Sequence, residues 1–583
     1  MSEFSYVQRI ESRMDSDARE MLRRIYEPTV VGAPLSDARR DVCVLPSGEL
    51  RAYGLLHKTG HDTNDGKGAY LRSVDGGLSW TRHYAHGTMG SCTYFEESGI
   101  YLAPLETRDG LWIKRSTIGP DDPSPAHIKV ADGLYGNSFL PQRSRFSKRI
   151  YFTSERADYS DRENPIRPPV FIYSDDEGAS WTVRELPPTP PYVLKPPHRG
   201  LPWCRGSGSE PHATELPDGR MMMIIRSPHE CFYQSFSEDG GDRWSDPEPS
   251  TFYGTNTTAF LLRLSGDRIL ALWNNTKPLA QGDHEATFPP VSDNVKKGIG
   301  ENAFTNRDAA HAAISLDGGR TFRGYREILL NPLRGNTDYR YIGGTARSYD
   351  KSVHQFQAFE LPYNKVLVIV GQNIAARFVI FDLDWLLETD AREDFVQNAL
   401  ERISTHTFVR SLCDHTAHVA GNGHCAWNRA PAAYLMPDPE GSLHEVLSIS
   451  CHHDDRMLNS IGGATWNFPA SARGRIGVHM KLVEQSARLI LADRHYNTCD
   501  PHAMDAPFAF EVSVEDIGTD YRTLTVDFDT EASVATLSDG DRVIATAHAN
   551  APVPTGISYL ILQCATEKES EGFYVRWLEK KAT

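Results

Sequence analysis

The chain lacks a surplus of positive charge. Its 583 residues carry 61 Lys and Arg against 77 Asp and Glu, which gives a formal net charge of −16. Proteins that bind nucleic acid neutralise phosphates with a basic surface. The composition therefore argues against nucleic acid as the main partner. It stays compatible with a small anionic ligand, because a few local arginines are enough to bind one.

Long apolar runs and paired cysteines are also missing. No stretch of about 18 apolar residues occurs, which predicts no membrane span. The first 28 residues contain no apolar segment of the kind that secretory signals have. The nine cysteines are odd in number and never spaced as C-x-x-C, a pattern typical of reduced thiols. Together these features predict a cytoplasmic protein without a membrane partner. They leave the oligomeric state open.

Motifs for metals and common cofactors are absent as well. The sequence contains no H-E-x-x-H, Walker A or G-x-S-x-G motif. The run SCHHDD at 450–455 contains metal-ligating residue types, but neighbours on a strand point to opposite faces of the sheet. We therefore expect no metal site and no cofactor.

Short apolar runs rich in Val, Ile, Leu, Phe and Tyr recur along most of the chain. Clusters of Gly, Asp, Pro and Asn separate them, which is typical of an all-β protein with many tight turns. The length exceeds what one hydrophobic core supports, so at least two domains are expected. The texture predicts an N-terminal helical segment over 1–30, a β domain over 31–385, a helical linker over 386–420 and a second β domain over 421–583.

An octapeptide repeat identifies the architecture. The four copies begin at Ser73, Ser174, Ser237 and Ser315 and read SVDGGLSW, SDDEGASW, SEDGGDRW and SLDGGRTF. The Asp carboxylate is suited to accept backbone N–H groups inside a turn. The Gly permits the positive φ that closes the turn, and the final aromatic residue anchors it in a core. The spacing therefore predicts a structural turn used four times.

These octapeptides resemble the Asp-box, or BNR repeat, of the sialidase superfamily. The resemblance implies a six-bladed β-propeller over 31–385. The C-terminal β domain resembles a lectin-like β-sandwich, and a short helix precedes the propeller. Because Asp-boxes also occur in lyases and in proteins that are not enzymes, the fold does not settle the function.

The resemblance also implies a carboxylate-binding site made of three arginines, since guanidinium groups form bidentate contacts with carboxylates. The segment EPHATELPDGRMMMIIR matches the family in two positions. Its leading Glu210 would polarise the nucleophile, and its closing Arg226 would bind the carboxylate. Arg307, eight residues before the last Asp-box, would be another of the three. Arg40 is favoured over its neighbour Arg39 as the third.

The acid/base and the nucleophile complete the set of predicted catalytic residues. Asp62, on a loop before the first Asp-box, would be the acid/base, with Asp65 as the alternative. The family nucleophile is a tyrosine, but the best register places His354 or Gln355 at that position. Either Tyr341 or Tyr349 reaches the site from a longer loop, or the nucleophile is lost. In the second case His354 is a candidate general acid or base, because its ordinary pKa is near neutral.

These residues support three hypotheses about function. The leading one is an exo-acting glycoside hydrolase that acts on sialic acid or a related acidic sugar. The second is a lyase that acts on a uronate-containing glycan, in which a His or Tyr removes the proton next to the carboxylate. The third is a propeller that binds an acidic glycan without catalysis.

Overall fold

The computed structural model of the protein describes most of the chain. The described residues are 5–35, 42–53, 69–84, 87–158, 160, 166–190, 209–227, 229–277, 306–332, 352–372, 375–409, 428–451, 460–484, 486–566 and 569–583.

Two short helices begin the described chain, α1 (Ser5–Arg13) and α2 (Ser16–Arg24). The sequence predicted a single helix here. Helix α1 ends and α2 begins at this point because Asp15 is the N-cap of α2, where its carboxylate accepts the Ala18 N–H at 2.8 Å. The apolar faces of both helices, with Ile10 and Leu22 fully buried, join the core of the neighbouring β-sheets.

The described strands between residues 29 and 382 form six antiparallel sheets, numbered in chain order. The first described strand is β1 (Thr29–Gly32). Sheet 1 contains β2 (Val42–Val44), β3 (Leu50–Tyr53), β4 (Ala69–Ser73) and β5 (Thr81–Tyr84). Sheet 2 contains β6 (Thr93–Phe95), β7 (Ile100–Glu106), β8 (Gly110–Ser116) and β9 (Ala126–Asp132). Sheet 3 contains β10 (Leu134–Gly136), β11 (Gln142–Arg143), β12 (Ile150–Ala157), β13 (Pro169–Ser174) and β14 (Thr182–Glu185). Sheet 4 contains β15 (His212–Glu215), β16 (Met221–Ile225), β17 (Cys231–Ser237) and β18 (Glu248–Tyr253). Sheet 5 contains β19 (Phe260–Leu264), β20 (Arg268–Trp273), β21 (Ala309–Ser315) and β22 (Arg323–Leu330). Sheet 6 contains β23 (Phe356–Leu361), β24 (Lys365–Val370) and β25 (Arg377–Asp382).

Sheet 6 is completed by a strand from the other end of this region. β1 pairs antiparallel with β25, with Thr29 opposite Ile380. The pairing supplies the fourth strand of sheet 6 and protects an edge that would otherwise expose unpaired backbone groups. Residues more than 300 positions apart are joined in this way.

Each Asp-box forms the turn between the last two strands of its sheet. In the first, Ser73 Oγ donates to Asp75 Oδ1 at 2.7 Å and accepts the Gly77 N–H at 2.9 Å. The Asp75 carboxylate also accepts the Ser79 N–H at 3.0 Å, and Trp80 Nε1 donates to the Gly77 carbonyl at 2.9 Å. The copies at Ser174, Ser237 and Ser315 repeat the contacts of the Ser and Asp side chains. The predicted turn mechanism is therefore confirmed.

The C-terminal region contains two further large sheets and one small ladder. Its elements are β26 (Ala391–Glu393), β27 (Ile403–Ser404), β28 (His406–Val409), β29 (Asn428–Pro431), β30 (Ala433–Pro437), β31 (Glu445–Cys451), β32 (Gly462–Ser471), β33 (Arg473–Leu482), β34 (Ser486–Ala492), β35 (Phe508–Ser513), α3 (Val514–Ile517), β36 (Arg522–Asp529), β37 (Val534–Asp539), β38 (Arg542–His548), β39 (Ile557–Cys564) and β40 (Ser570–Lys581). The eight-stranded sheet runs β30-β31-β40-β33-β36-β37-β38, with β26 also on β40. The five-stranded sheet runs β27-β32-β39-β34-β35, and β28 pairs with β29. One buried core contains apolar side chains of both large sheets.

The predicted helical linker over 386–420 is wrong for its described part. After β25 the chain forms one 3-10 helix, Leu383–Leu387, and then β26, which pairs with the C-terminal strand β40. β27 likewise joins the five-stranded sheet, opposite Trp466. Helical periodicity is a weak preference that tertiary pairing and burial override. Phe395 illustrates this, because it packs in the core between the two C-terminal sheets.

Within the described residues, the helices are all too short or too polar to cross a lipid bilayer.

Candidate functional site

Glu210 and Arg226 face each other across the hairpin that opens sheet 4. β15 and β16 pair with His212 opposite Ile224, so the continued register places Glu210, two residues before β15, opposite Arg226, just after β16. The Arg226 Nη1 donates to the Glu210 Oε2, and both side chains are buried. The hairpin register alone thus brings together the two residues that the sequence selected.

Glu210 is held from several directions. Thr258 Oγ1 donates to its Oε2 at 2.5 Å, and Gln355 Nε2 donates to its Oε1 at 3.1 Å. Both Glu210 (φ 51°) and Gln355 (φ 68°) have left-handed backbone conformations, each just before the first strand of its sheet. Non-glycine residues in this region are strained, and such residues cluster at functional sites. Sheets 4 and 6 therefore present adjacent strained residues at one place.

Arg307 reaches the same place from sheet 5. Asn256 joins the two arginines: its side-chain Oδ1 accepts Arg226 Nε–H at 2.6 Å, and its backbone carbonyl accepts Arg307 Nη2–H at 2.5 Å. Arg307 is fully buried. Two guanidinium groups that are 81 positions apart in the sequence thus share one contact residue beside Glu210.

His354 contacts Arg307 through a nitrogen that must be unprotonated. The Arg307 Nη1 lies 3.0 Å from the His354 Nε2. A guanidinium has donors and no acceptor, so the imidazole nitrogen accepts this hydrogen bond. His354 is then neutral, with its proton on Nδ1. Its Nε2 also lies 3.5 Å from the Gln355 amide nitrogen.

Sheet 3 adds residues that the sequence analysis missed. The buried Glu155 accepts the Glu210 N–H on Oε2 at 2.9 Å and the Asn137 side chain on Oε1 at 3.1 Å. Arg167 Nη1 donates to the same Oε1. Burial is the main cause that raises the pKa of Glu155, and the nearby Glu210 adds to it, while Arg167 opposes both. The sequence did offer one signal for Glu155, which ends the largely apolar run IYFTSE. A carboxylate in such a run is expected to be buried, and a buried charge needs a partner.

Three guanidinium groups of the described chain, those of Arg167, Arg226 and Arg307, lie beside the carboxylates of Glu155 and Glu210. Guanidinium groups gathered in one place are suited to bind an anionic ligand, because each forms charge-assisted hydrogen bonds with a carboxylate or phosphate. Among the described residues, no group of three His, Cys, Asp or Glu is placed to hold a metal ion.

Four of the predicted site residues lie outside the described residues. They are Arg40, Asp62, Tyr341 and Tyr349, and the alternatives Arg39 and Asp65 lie there too. Their roles stay predictions. Within the described chain, the side chain that donates to Glu210 from the predicted nucleophile position is Gln355, an amide and not a phenol.

Residues 158–355 match the family model of the BNR repeat-like domain. No curated protein matches the chain. Among solved structures, a protein of unknown function from Dyadobacter fermentans is 14% identical, with 61% of this chain and 97% of that chain covered and a TM-score of 0.37. The Hadza microbial sialidase Hz136 is 13% identical, covering 63% and 67%, with a TM-score of 0.37. A Trypanosoma rangeli sialidase in complex with 2,3-difluorosialic acid is 9% identical, covering 96% and 91%, with a TM-score of 0.32. TM-scores this low do not establish a shared fold.

Proposed function

We propose that the chain is an exo-acting glycoside hydrolase for a sugar that carries a carboxylate, with the match of residues 158–355 to the BNR repeat-like domain as support for a sialidase-like protein. The observation that carries this proposal is the convergence of Arg226 and Arg307 on Asn256, beside Glu210. Guanidinium groups pair with carboxylates in a planar, bidentate way. Two guanidinium groups lie beside Glu210, whose own carboxylate is a candidate catalytic group. This arrangement fits the recognition of an acidic sugar next to its scissile bond.

We also propose that sheets 1 to 6 are the blades of one closed, six-bladed ring. Glycines of the Asp-boxes support it, because each packs on the sheet before its own: Gly178 on Leu102, Gly241 on Phe171, Gly319 on Leu216 and, across the closure, Gly77 on Leu367 of sheet 6. Val42 and Gln357 exchange two hydrogen bonds, of 3.0 and 2.7 Å, between the first strands of sheets 1 and 6.

A cavity of about 860 Å³ supports the same arrangement. It is lined by α1, by residues of the first strands of sheets 1, 2, 4, 5 and 6 and by residues 139–148. In a propeller the first strand of each blade would face the central channel in this way. The C-terminal sheets, which share one core, are then a β-sandwich.

Hydrolysis assigns a role to each member of the site. Arg226 and Arg307 bind the sugar carboxylate, and the predicted acid Asp62 protonates the leaving oxygen as the bond to the anomeric carbon breaks. Glu210 polarises the attacking group, which is the predicted Tyr341 or Tyr349, or a water in their place. Water supplies the hydroxyl group of the released sugar, and its proton restores the acid.

The test uses the full chain with sialyllactose and with a glucuronide as substrates. Release of the free acidic sugar supports the proposal. Arg307→Lys should lower kcat/KM about 100-fold or more, because an ammonium group cannot form the bidentate contact that is proposed here between the guanidinium and the sugar carboxylate. Arg323→Lys, an exposed arginine of the same sheet, is the matched control and should behave as wild type. If no acidic glycoside is cleaved, hydrolysis is excluded for these substrates.

A lyase is the second candidate, and His354 is the observation that favours it. Its Nε2 accepts a hydrogen bond from Arg307, the group that would bind the carboxylate. When Arg307 turns to the sugar carboxylate, this hydrogen bond opens and the Nε2 lone pair is released to act as the base. In elimination, the base takes the proton from the carbon bearing the carboxylate. A carbon–carbon double bond forms as the bond to the glycosidic oxygen breaks, and the leaving oxygen takes up a proton.

Ultraviolet absorbance separates the two reactions. Elimination from a polyuronate gives an unsaturated, absorbing product, whereas hydrolysis gives none. His354→Gln should abolish that absorbance if His354 is the base, with the affinity for glucuronate within about threefold of wild type. Cleavage without new absorbance would exclude the lyase.

A further inference from the structure

The C-terminal region forms hydrogen bonds with the residues on both sides of Arg307. Asp308, fully buried, accepts a hydrogen bond from His406 Nε2 at 3.0 Å on one oxygen and from Asn331 at 2.8 Å on the other. On the other side of Arg307, the Asn306 side-chain amide lies 3.2 Å from His495 Nδ1. His406 begins β28, and His495 follows β34. Both histidines belong to the C-terminal region.

The Arg307 side chain faces away from those of the residues on either side of it. Asn306 and Asp308 point to the C-terminal histidines, and Arg307 between them points to Asn256 and His354. Any displacement of residues 306 and 308 therefore moves the guanidinium relative to its contacts at the site.

The contact around this segment is buried and continuous. His495 is fully buried, and burial lowers its pKa to about 3, so it is neutral and its Nδ1 is an acceptor for the Asn306 amide. Its backbone exchanges hydrogen bonds with Asn275 and Lys277, at 2.8 and 2.7 Å. Nearby, His311 of β21 contacts the Tyr559 hydroxyl. This chain of buried hydrogen bonds joins the segment that carries Arg307 to the C-terminal region.

We infer that His406 and His495 are positioning residues of the candidate site, and that the C-terminal region acts as a clamp that sets the place of the Arg307 guanidinium. The clamp is defined as His406 and His495 with their partners Asp308 and Asn306. The inference rests on the proposed function for the role of Arg307 toward an acidic sugar. It assigns the C-terminal region a part in the candidate site.

The test compares His406→Ala, His406→Gln and wild type in the full chain. Gln retains a donor for Asp308, so it should restore what Ala removes. Calorimetric titration with sialic acid and with glucuronate measures the affinity, and the methyl ester of each sugar is the uncharged counterpart. His406→Ala should weaken binding of the acid about tenfold to 100-fold, because a displaced Arg307 guanidinium loses a hydrogen bond to the charged carboxylate. The ester should bind all three proteins alike.

Hydrogen exchange provides a readout that needs no ligand. His406→Ala should raise the exchange of the amides in Ala309–Ser315, which follow the clamped segment, and His406→Gln should not. His502→Ala, a half-exposed histidine of the same region, is the matched control and should change neither exchange nor affinity. Unchanged exchange in His406→Ala overturns the clamp. Raised exchange with unchanged affinity for the acid overturns its positioning role.

The outcome also separates this inference from the proposed function. If wild type binds neither acidic sugar, the proposed function falls, and exchange alone then decides whether the clamp exists. If wild type binds an acid and loss of His406 weakens acid and ester equally, the histidine is structural only and the inference is overturned.

Discussion

Removal of the Glu210 carboxylate is expected to lower the free energy of unfolding by more than the removal of a single surface charge does. The side chains of Arg226 and Glu210 are 7% and 5% exposed. Breaking a buried ion pair from one side leaves an uncompensated charge and costs about 3–5 kcal/mol. In Glu210→Gln the retained amide oxygen still accepts one hydrogen bond from Thr258 or Gln355. We therefore expect a loss near the lower end, about 3 kcal/mol.

The same hairpin contains a matched control. Arg220 and Asp218 form an ion pair in the turn between β15 and β16, with side chains 35% and 36% exposed. Exposed pairs contribute at most about 1 kcal/mol. Asp218→Asn should therefore cost no more than this, although the chemistry of the change is the same.

A double-mutant cycle isolates the pair itself. Arg226→Met removes the guanidinium and keeps an apolar side chain, and the double variant with Glu210→Gln buries no unpaired charge. The coupling energy should be about 2–3 kcal/mol. Urea unfolding followed by circular dichroism measures this coupling energy. Hydrogen exchange of Met221–Ile225 is a local check, because sheets 1 to 6 and the C-terminal sheets need not unfold together. A coupling below about 0.5 kcal/mol, or equal losses for Glu210→Gln and Asp218→Asn, would refute the reasoning.

Three further predictions address other parts of the molecule. The pKa of His495 is lowered from 6.5 to about 3, so its contribution to stability is present above pH 6.5 and is lost as pH falls toward 3. At about 1.4 kcal/mol per pKa unit it is on the order of 4–5 kcal/mol, and His495→Asn should flatten the acid side of the stability curve measured by urea unfolding. The raised pKa of Glu155 has the opposite sign: its contribution is full below pH 4.5 and is lost as pH rises through the folded pKa. Glu155→Gln should thus be least harmful near pH 7 and most harmful near pH 4, as judged by the melting temperature. In the third Asp-box, Gly241 has φ 99° and a Cβ there would lie 2.1 Å from Phe171, so Gly241→Ala should cost roughly 1–3 kcal/mol, whereas Gly99→Ala, at φ 67° with open space around it, should cost less.

Each of these three predictions has a contrary result. An acid limb of the same steepness in His495→Asn would show that this imidazole is not the group that titrates. A constant difference between wild type and Glu155→Gln across pH 4–7 would show that burial does not perturb the carboxyl. Equal melting temperatures for the two alanine variants would show that the neighbouring sheet gives way at little cost.

Local features of the protein were predictable from the sequence because their contacts span few residues. The hydrogen bonds of the Asp-box join residues two to four positions apart, so one octapeptide contains both partners of each. The pairing of Glu210 with Arg226 follows from the register of one hairpin, and its two strands are adjacent in sequence. The sheets themselves also follow from short apolar runs between turn residues.

The remaining features depend on how distant segments pack. Glu210 meets Gln355 across 145 positions, Arg307 meets Asn256 across 51, and β1 completes a sheet whose other strands begin at residue 356. The segment predicted as a helical linker pairs with strands of the C-terminal sheets because burial there outweighs helical preference. Periodicity and turn residues in the sequence indicate the local preference for strand, helix or turn. They do not indicate which distant residue a side chain contacts. The sequence by itself therefore determined the short apolar strands between turn residues, the four turns and the Glu210–Arg226 hairpin, whereas only the tertiary structure decided which residues surround them and that the segment after residue 386 forms strands.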